Sequence, residues 1–442
     1  MQLIRNRDGL VSIRKPPLGF LHKFDFQTQE RPMPQIDTGD TAWLLMSTAL
    51  VMLMTPGLAL FYGGLVRRKN VLSTIMHSFF ILGLVSVTWV LWGYTLAFGP
   101  DTGLGIIGRL DWLALEGVTG EPSDVYATTV PHLLFMAFQM MFAIITPALI
   151  SGAFAERKSF KAFILFAVAW STFVYAPIAH WVWSPDGWLF GLGVLDFAGG
   201  TVVHLSSGIA ALVAALFIGR RSGLIQPATE PHDVPMTVLG AGLLWFGWFG
   251  FNAGSALGAN GLAATAFVTT NTAAAMAAIT WVTISWVHKG TPSVLGAAIG
   301  AVAGLVAITP AAGFVTPAAS VLIGLGVGVV CYGAAQLRLR ARVDDALDVF
   351  AVHGVGGAFG AIATGVFATT AVNAAGFDGL LAGNAGQVLT QVVGVVAVGL
   401  YSATATGAIL FLVNLVTPIR VAGDVEETGL DLAQHGEVAY QP

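Results

Sequence analysis

Two histidines in this 442-residue chain each follow a carboxylate at the start of a long apolar stretch. Asp196 precedes His204 in the first half of the chain, and Asp348 precedes His353 in the second half. Ionisable side chains in apolar spans are costly, so they normally face a pore or a polar partner. Neither histidine has a third ligand at metal spacing, and no His-Glu-x-x-His motif occurs. The pattern therefore favours a polar pair in a transport path over a metal site.

The two carboxylates are better explained as structural groups. Asp196 is followed by Phe-Ala-Gly-Gly-Thr and then by an apolar run. This order is typical of a helix N-cap whose carboxylate accepts hydrogen bonds from backbone N–H groups. A buried anion at this point would also help a cation to enter, so direct contact with a ligand stays the alternative. We expect a structural role for Asp348 as well.

Aromatic side chains lie near the ends of several apolar stretches. In a membrane protein they are usually packing residues or part of an interfacial belt. Phe138, Phe142, Trp183 and Phe251 lie toward the outer ends of their stretches, where ring faces would attract a small cation by about 1 to 2 kcal/mol each when desolvated. Ser255 would add a hydroxyl acceptor. Both interpretations stay open on the pattern alone.

The composition predicts that membrane-spanning helices position these residues. The chain is 55% hydrophobic and 10% charged, with a mean hydropathy of +0.77, whereas soluble domains carry about 25% charged residues. A span needs about 20 apolar residues, and breaks at Asn252–Asn260 and at Thr309-Pro310 divide two overlong stretches. We count eleven spans in the stretches Ala42–Val66, Asn70–Pro100, Ala127–Ala155, Ala162–Pro185, Phe197–Gly219, Val234–Val287 (two), Gly290–Leu337 (two), Val349–Phe377 and Gly379–Ile419.

Basic residues fix the predicted orientation. Of the 14 Lys and Arg residues beyond position 40, all except Arg109 fall in connections that follow odd-numbered spans. The positive-inside rule makes those connections cytoplasmic, so the N-terminus lies outside and the C-terminus inside. The six basic residues among the first forty oppose this orientation, but they are outnumbered.

The two halves of the chain repeat one another. The Asp-then-His pattern of span 5 recurs in span 10, and an offset of an odd number of spans inverts the second copy. Inverted repeats place the substrate path at their interface in many transporters. The predicted fold is therefore an all-α polytopic membrane protein with an inverted 5+5 repeat and one extra helix.

Three regions follow from this pattern. Residues 1–40 form a polar tail without a secretory signal, and Met33 is a candidate start. Residues 41–417 form the transmembrane domain, and residues 418–442 form a cytoplasmic tail. The single cysteine, Cys331, excludes an internal disulfide, and a net charge of −4 gives no sign of nucleic-acid binding.

Five strings resemble signature segments of the Amt/Mep/Rh ammonium transporters, in the bacterial Amt branch. The resemblance covers residues 40–442 in order. The strings are Thr-Pro-Gly-Leu-Ala-Leu-Phe-Tyr-Gly-Gly-Leu-Val-Arg (55–67), Asp-Phe-Ala-Gly-Gly-Thr-Val-Val-His (196–204), Gly-Trp-Phe-Gly-Phe-Asn-Ala-Gly-Ser (247–255), Val-Asp-Asp-Ala-Leu-Asp-Val-Phe-Ala-Val-His-Gly (343–354) and the ending Gly-Leu-Asp-Leu-Ala-Gln-His-Gly-Glu-Val-Ala-Tyr (429–440).

The resemblance implies a role for each candidate residue. His204 and His353 match the pore-lining histidine pair, and Phe142 and Phe251 match a phenylalanine gate. The implied ammonium-recruitment site comprises Phe138, Phe142, Trp183 and Ser255. Asp196 matches a carboxylate that supports this site without touching the substrate. No metal or cofactor is implied.

The resemblance also implies a mechanism and partners. Ammonium would be recruited at the aromatic site, lose a proton and cross as ammonia, with the histidines as a candidate proton relay. The implied protein is no enzyme but a homotrimer in the cell membrane, surrounded by lipid, with a PII-type signal protein at its cytoplasmic face. The alternatives are an ammonium sensor and an Rh-type gas channel for ammonia or carbon dioxide. Trp183 and Ser255 argue against the Rh type, and the absence of a signalling domain after Arg420 argues against the sensor.

Overall fold

The computed structural model describes residues 3–5, 11–13, 35–222 and 231–440, in two compact units. The first unit is Met1–Pro34, in which β1 (Leu3–Arg5) pairs antiparallel with β2 (Val11–Ile13). These two strands lie in the segment for which we predicted a polar tail, and the remainder of that segment up to residue 34 lies outside the described residues. The second unit contains the rest of the chain.

The described part of the second unit is built from eleven apolar helices. Ten of them are long and apolar enough to cross a membrane, and an eleventh, Val294–Ile308, is shorter. This confirms the predicted number of spans and the two predicted breaks. In chain order, α1 to α11 are Thr38–Leu65, Arg68–Phe98, His132–Phe154, Phe160–Leu192, Gly200–Ile218, Val234–Ala253, Gly261–Lys289, Val294–Ile308, Pro317–Ala341, Phe350–Phe367 and Gly386–Val416.

Short polar side chains begin several of these helices. Asp37 accepts from the backbone N–H of Asp40 at the start of α1, and Asp233 does the same for Met236 at the start of α6. Such caps satisfy N–H groups that have no partner within the helix. The starts of α7, α8 and α9 are capped in the same way by Asn260, Ser293 and Thr316.

The connections after odd-numbered helices meet at one face. Arg67 follows α1, and its side chain pairs with Glu156 after α3 at 2.9 Å. Arg221 after α5 pairs with Glu156 and with Asp344 after α9, both at 2.8 Å. Burial opposes ionisation of Glu156, but Arg221 and Arg67 together hold the pKa of its carboxyl below its usual value. Four connections therefore share one buried ion-pair network, which fits the predicted cytoplasmic side.

The opposite face holds the connection after α2. Its strands β3 (Pro122–Ser123) and β4 (Ala127–Pro131) form a small antiparallel sheet. The backbone N–H groups of Gln35 and Asp37, just before α1, donate to carbonyls of β4 at 3.0 and 2.8 Å. The start of α1 thus lies beside an even-numbered connection, as the N-out orientation requires.

Glycines bring α5 and α10 into backbone contact. A Cβ added at Gly208 in α5 would overlap the backbone of Gly354 in α10. A Cβ at Gly357 would lie 3.2 Å from the Cβ of His204. Small residues let helices approach closely in a membrane, where no hydrophobic effect drives them together. This crossing sets the separation of the two predicted pore histidines.

The chain after α11 returns to the face that carries the odd-numbered connections, as α12 (Gly423–Thr428) and a π-helical turn at Asp431–His435. The Asp431 carboxylate accepts from the backbone N–H groups of Leu72 and Ser73 at the start of α2. Glu426 accepts from the backbone N–H of Ser222 and pairs with Arg420. The described part of the tail is therefore docked on the connections after α1 and α5.

Candidate functional site

Two π-helical turns carry the predicted histidine pair. His204 lies in Gly200–Leu205 at the start of α5, and His353 lies in Phe350–Gly354 at the start of α10. Their Nδ1 atoms are 3.2 Å apart, and their ring centroids are 5.3 Å apart. Single π turns inside helices often mark functional sites, because the wider turn re-aims a side chain. The structure brings together two residues that the sequence separates by 149 positions.

Both histidines line a narrow cavity near the middle of the protein. Its volume is about 10 Å³, close to the least that a single water-sized molecule requires. The Nε2 atom of His204 is buried without a hydrogen-bond partner and is the one such side-chain atom among the described lining residues. The rest of the lining is apolar: Met54, Leu58, Phe61, Ile145, Leu149, Leu244, Trp248, Phe251 and Val302.

Asp196 holds the start of α5 through its carboxylate. Oδ1 accepts from the backbone N–H groups of Gly199 at 2.8 Å and Gly200 at 2.6 Å. Oδ2 accepts from the backbone N–H of Thr201 at 2.7 Å and of Val202 at 3.2 Å, and also from the Thr201 hydroxyl. These bonds occupy both oxygens of a carboxylate that is 7% exposed, so the geometry matches the predicted cap rather than the alternative of a cation ligand.

The corresponding cap in the second half is Asp345, not Asp348. Asp345 Oδ2 accepts from the backbone N–H of Phe350 at 2.7 Å, whereas Asp348 pairs with Arg338 at 2.5 Å. Asp345 precedes His353 by eight residues, as Asp196 precedes His204. The equal spacing and the hydrogen bond identify Asp345, rather than the predicted Asp348, as the counterpart of Asp196. Asp348 also has a structural contact, but this contact is an ion pair with Arg338 rather than a helix cap.

An open vestibule lies on the outer side of the cavity, with a volume of about 230 Å³. Phe142, Trp183 and Ser255 line it, as the recruitment prediction requires. The Trp183 ring meets Phe142 edge to face at 5.9 Å, and its Nε1 donates to the Asp196 carbonyl at 3.0 Å. The Ser255 hydroxyl donates to the Phe251 carbonyl at 2.9 Å, which leaves its oxygen free to accept a bond from a ligand.

Phe138 occupies a different position from the one we expected. It is fully buried, packs edge to face on Phe142 at 4.9 Å and is not among the residues that line the vestibule. Phe135 and Gln139 line it instead. Spacing alone does not separate Phe138 from Gln139, since they lie four and three residues before Phe142 on the same helix. The buried Phe138 ring packs against Phe142 and does not reach the vestibule.

Gln139 is a vestibule residue that the sequence pattern does not single out. Its Oε1 atom is buried without a hydrogen-bond partner, and the residue lines the vestibule. Its position three residues before Phe142 is compatible with the same helix face, but Phe138 fits that face equally, so the spacing does not identify it. It offers a second polar acceptor in a wall that is otherwise largely aromatic.

Phe142 and Phe251 separate the vestibule from the cavity. Phe142 lines the vestibule, and Phe251 lines the cavity. The Phe251 ring also stacks on the His204 ring. Their ring centroids are 4.4 Å apart, and both side chains are essentially unexposed. The two rings therefore lie between the vestibule and the histidines, at the position predicted for a gate.

Fold and site together define a multi-pass membrane protein with a narrow, largely apolar cavity behind an open vestibule. The chain belongs to the Ammonium Transporter Family, whose sequence model matches residues 42–440. It is located in the cell membrane, as its apolar helices and its family require.

Named relatives and solved structures agree with this assignment. The chain is 54% identical to the "Ammonium transporter" of Bacillus subtilis, over 91% of this chain and 98% of the relative. It is 49% identical to "Ammonium transporter Amt1" of Archaeoglobus fulgidus, over 91% and 99%. The crystal structure of Saccharomyces cerevisiae Mep2 superposes with a TM-score of 0.85 at 39% identity, over 92% and 94%. A structure described as "Sensor Amt Protein" superposes with a TM-score of 0.83 at 30% identity, over 90% and 98%.

Proposed function

We propose that this protein is an ammonium channel or transporter that recruits NH₄⁺ at the outer vestibule, removes a proton and conducts NH₃ past the two histidines. The observation that carries the proposal is the unpartnered Nε2 atom of His204 in an apolar cavity of about 10 Å³. A buried polar atom without a partner is costly. A small ligand that donates a hydrogen bond, as ammonia does, removes that cost.

Recruitment relies on ring faces and polar acceptors rather than on a carboxylate. The described residues that line the vestibule include no Asp or Glu. The rings of Phe142 and Trp183 would attract ammonium by cation–π interaction, and the hydroxyl oxygen of Ser255 would accept one of its N–H bonds. Four N–H donors distinguish ammonium from potassium, which has a similar size but donates no hydrogen bond.

Deprotonation follows from the cost of moving a charge into the cavity. An ion without hydrogen-bond partners is strongly disfavoured in an apolar environment, and the lining of the cavity beyond the histidines is apolar. Neutral ammonia avoids this cost, whereas potassium cannot shed its charge. The gate of Phe142 and Phe251 is the point at which the open vestibule ends. On its outer side the proton would pass from an ammonium N–H to a solvent water, which becomes hydronium, and neutral ammonia would continue past the gate.

Currents in proteoliposomes test the proposal. Purified protein is reconstituted, and an ammonium pulse is compared with a potassium pulse of equal concentration, alongside a flux assay with a pH-sensitive dye that detects electroneutral ammonia entry. We expect ammonium-dependent transport without a response to potassium. No transport in either assay, or equal responses to the two cations, would overturn the proposal.

Ammonium sensing is the second candidate, and the superposition on the "Sensor Amt Protein" structure favours it. A sensor would keep the vestibule site but would not require flux. Binding of ammonium by calorimetry, with a half-saturation that depends on Trp183 and without measurable flux in the liposome assay, would support sensing over transport.

We also propose that the protein is a homotrimer regulated by a PII-type protein at the cytoplasmic face, as the resemblance implies. The docking of the tail supports regulation from this face: Asp431 holds it on the start of α2, and Glu426 holds it on Ser222 in the connection after α5. Native mass spectrometry would determine the subunit number, and pull-down would test the partner.

A further inference from the structure

Trp248 forms one wall of the cavity beside His204. Its ring lies nearly parallel to the imidazole, with centroids 5.3 Å apart and planes inclined by 25°. The residue is 2% exposed, so its indole N–H must find a partner inside the protein. That partner is the Thr309 hydroxyl, whose Oγ1 accepts the indole hydrogen bond at 2.9 Å.

Thr309 is well placed to fix the orientation of this ring. It is fully buried just after α8, and its hydroxyl donates to the Leu305 carbonyl at 2.7 Å. Because that bond uses the single hydroxyl proton, an oxygen lone pair is presented to Trp248. The next residue, Pro310, accepts at its carbonyl from the backbone N–H of Phe197 at 3.1 Å, beside the Asp196 cap of α5. The break after α8 therefore connects Trp248 to the same segment that positions His204.

We propose that Thr309 is a positioning residue for conduction, which holds the Trp248 ring parallel to His204 and keeps the indole N–H away from the substrate path. This inference rests on the proposed function. Without Thr309 the buried indole N–H would lack an acceptor. Among the described residues that line the cavity, the one buried side-chain atom without a hydrogen-bond partner is His204 Nε2. The indole would then compete with ammonia for His204.

The other half of the inverted repeat contains a related bond. Tyr62 of α1 donates its hydroxyl hydrogen to the Leu149 carbonyl of α3 at 3.0 Å. The repeat relates α1 to α6 and α3 to α8. In each half, an aromatic side chain on the first helix therefore donates a hydrogen bond to an acceptor on, or just after, the third helix. A backbone carbonyl is the acceptor in one half, whereas a side chain is the acceptor in the other. Thr309 is therefore the acceptor that mutation can remove.

The test is a double-mutant cycle in proteoliposomes between Thr309→Val and Trp248→Phe, read as ammonium flux per folded protein. Valine keeps the shape of threonine but removes the acceptor, and phenylalanine removes the indole N–H. We expect Thr309→Val to lower flux about tenfold in the wild-type background, as loss of a buried hydrogen-bond partner allows. In the Trp248→Phe background the same change should alter flux less than about twofold. Thr309→Ser should retain flux.

Thr406→Val is a matched control. Thr406 accepts from Trp170 Nε1 at the same distance of 2.9 Å, and both residues are fully buried and absent from the cavity and vestibule linings. It should reduce thermal stability about as much as Thr309→Val does but leave flux unchanged. If Thr309→Val does not fold, Thr309→Ala is used in the same cycle.

Two outcomes would overturn the proposal. In one, the Thr309 change lowers flux equally in both backgrounds, which would make its role structural. In the other, Thr309→Val conducts normally. Both are distinct from failure of the proposed function, in which the wild type itself shows no ammonium flux.

Discussion

The Nδ1 atoms of His204 and His353 lie 3.2 Å apart, close enough for a hydrogen bond between identical nitrogens. Such a bond requires one of the two nitrogens to carry a proton and the other to accept it. Two imidazolium rings would place like charges side by side in an apolar cavity, which burial and repulsion oppose. The pair is therefore suited to hold one shared proton and to present an Nε2 atom to the substrate.

The first prediction concerns this pair. The double variant His204→Ala, His353→Ala should lose selective ammonium transport, because the cavity would no longer contain an acceptor for ammonia. Proteoliposome flux with ammonium and with potassium measures the change, with Thr280→Ala, a buried hydroxyl elsewhere, as the control for assembly. A folded double variant that still transports ammonium and excludes potassium would remove the role assigned to the histidines.

The second prediction concerns recruitment. Trp183→Leu removes a ring face that lines the vestibule, and a desolvated cation–π contact of about 1 to 2 kcal/mol makes half-saturation rise roughly tenfold. The maximal rate should change less. Trp188→Leu is the control, since that ring is on the outer face but does not line the vestibule. Equal half-saturation in the Trp183 and Trp188 variants would assign Trp183 to packing alone.

The third prediction concerns the cap of α5. Asp196→Asn replaces one of two accepting oxygens by an N–H donor, so the Gly199–Gly200 pair or the Thr201–Val202 pair loses its acceptor. Each unsatisfied buried N–H costs about 1 to 3 kcal/mol, and thermal denaturation should show a clear loss of stability. Asp233→Asn at the start of α6 is the control, because asparagine serves as well as aspartate at an ordinary N-cap. Similar melting of the two variants would contradict the prediction.

The fourth prediction concerns pH. Burial, followed by the charge of Asp348, raises the pKa of Asp345 to about 6. A carboxyl with a raised folded-state pKa contributes stability that is present below its unfolded pKa and is lost as pH rises through the folded value. The free energy of unfolding of the wild type, relative to Asp345→Asn, should therefore fall by about 1 to 3 kcal/mol between pH 4 and pH 7.

Asp344→Asn is the control for this pH dependence. Burial opposes ionisation of Asp344, but Arg221 holds the pKa of that carboxyl below its usual value. Its contribution is thus lost only in acid, and the difference between wild type and Asp344→Asn should stay level from pH 4 to pH 7. A level difference for Asp345→Asn as well would show that Asp345 is ionised throughout this range.

The fifth prediction concerns the tail. Asp431 is 3% exposed and caps the start of α2 through Leu72 and Ser73, so Asp431→Ala should detach the tail and make it sensitive to protease. It should also weaken capture of a PII-type protein, as deletion of residues 425–442 should. Asp424→Ala is the control, since it is an exposed residue of the same tail. Protease sensitivity that equals that of the Asp424 variant would show that the cap does not hold the tail.

Several features could be predicted from the sequence because they depend on composition along the chain. Charged residues are costly inside a bilayer, so basic residues lie in the connections between spans. Their positions along the chain predicted the eleven spans and the side on which each connection lies. The length of each uncharged stretch gave the two broken helices. The pattern of a carboxylate followed by glycines gave the Asp196 cap, whose bonds are all local in sequence.

Other features are decided only by the tertiary structure. The approach of His204 to His353 depends on the crossing of α5 and α10 at Gly208, where backbone meets backbone. No local pattern separates Phe138 from Gln139, since both lie within one turn of Phe142 on the same α-helix, and only the packing of that helix shows that Gln139 lines the vestibule and Phe138 does not. The bond from Trp248 to Thr309 joins residues 61 positions apart. Composition and local spacing determine which segments are buried in the membrane and where they end, whereas contacts between distant helices determine which buried polar atoms are left for a substrate.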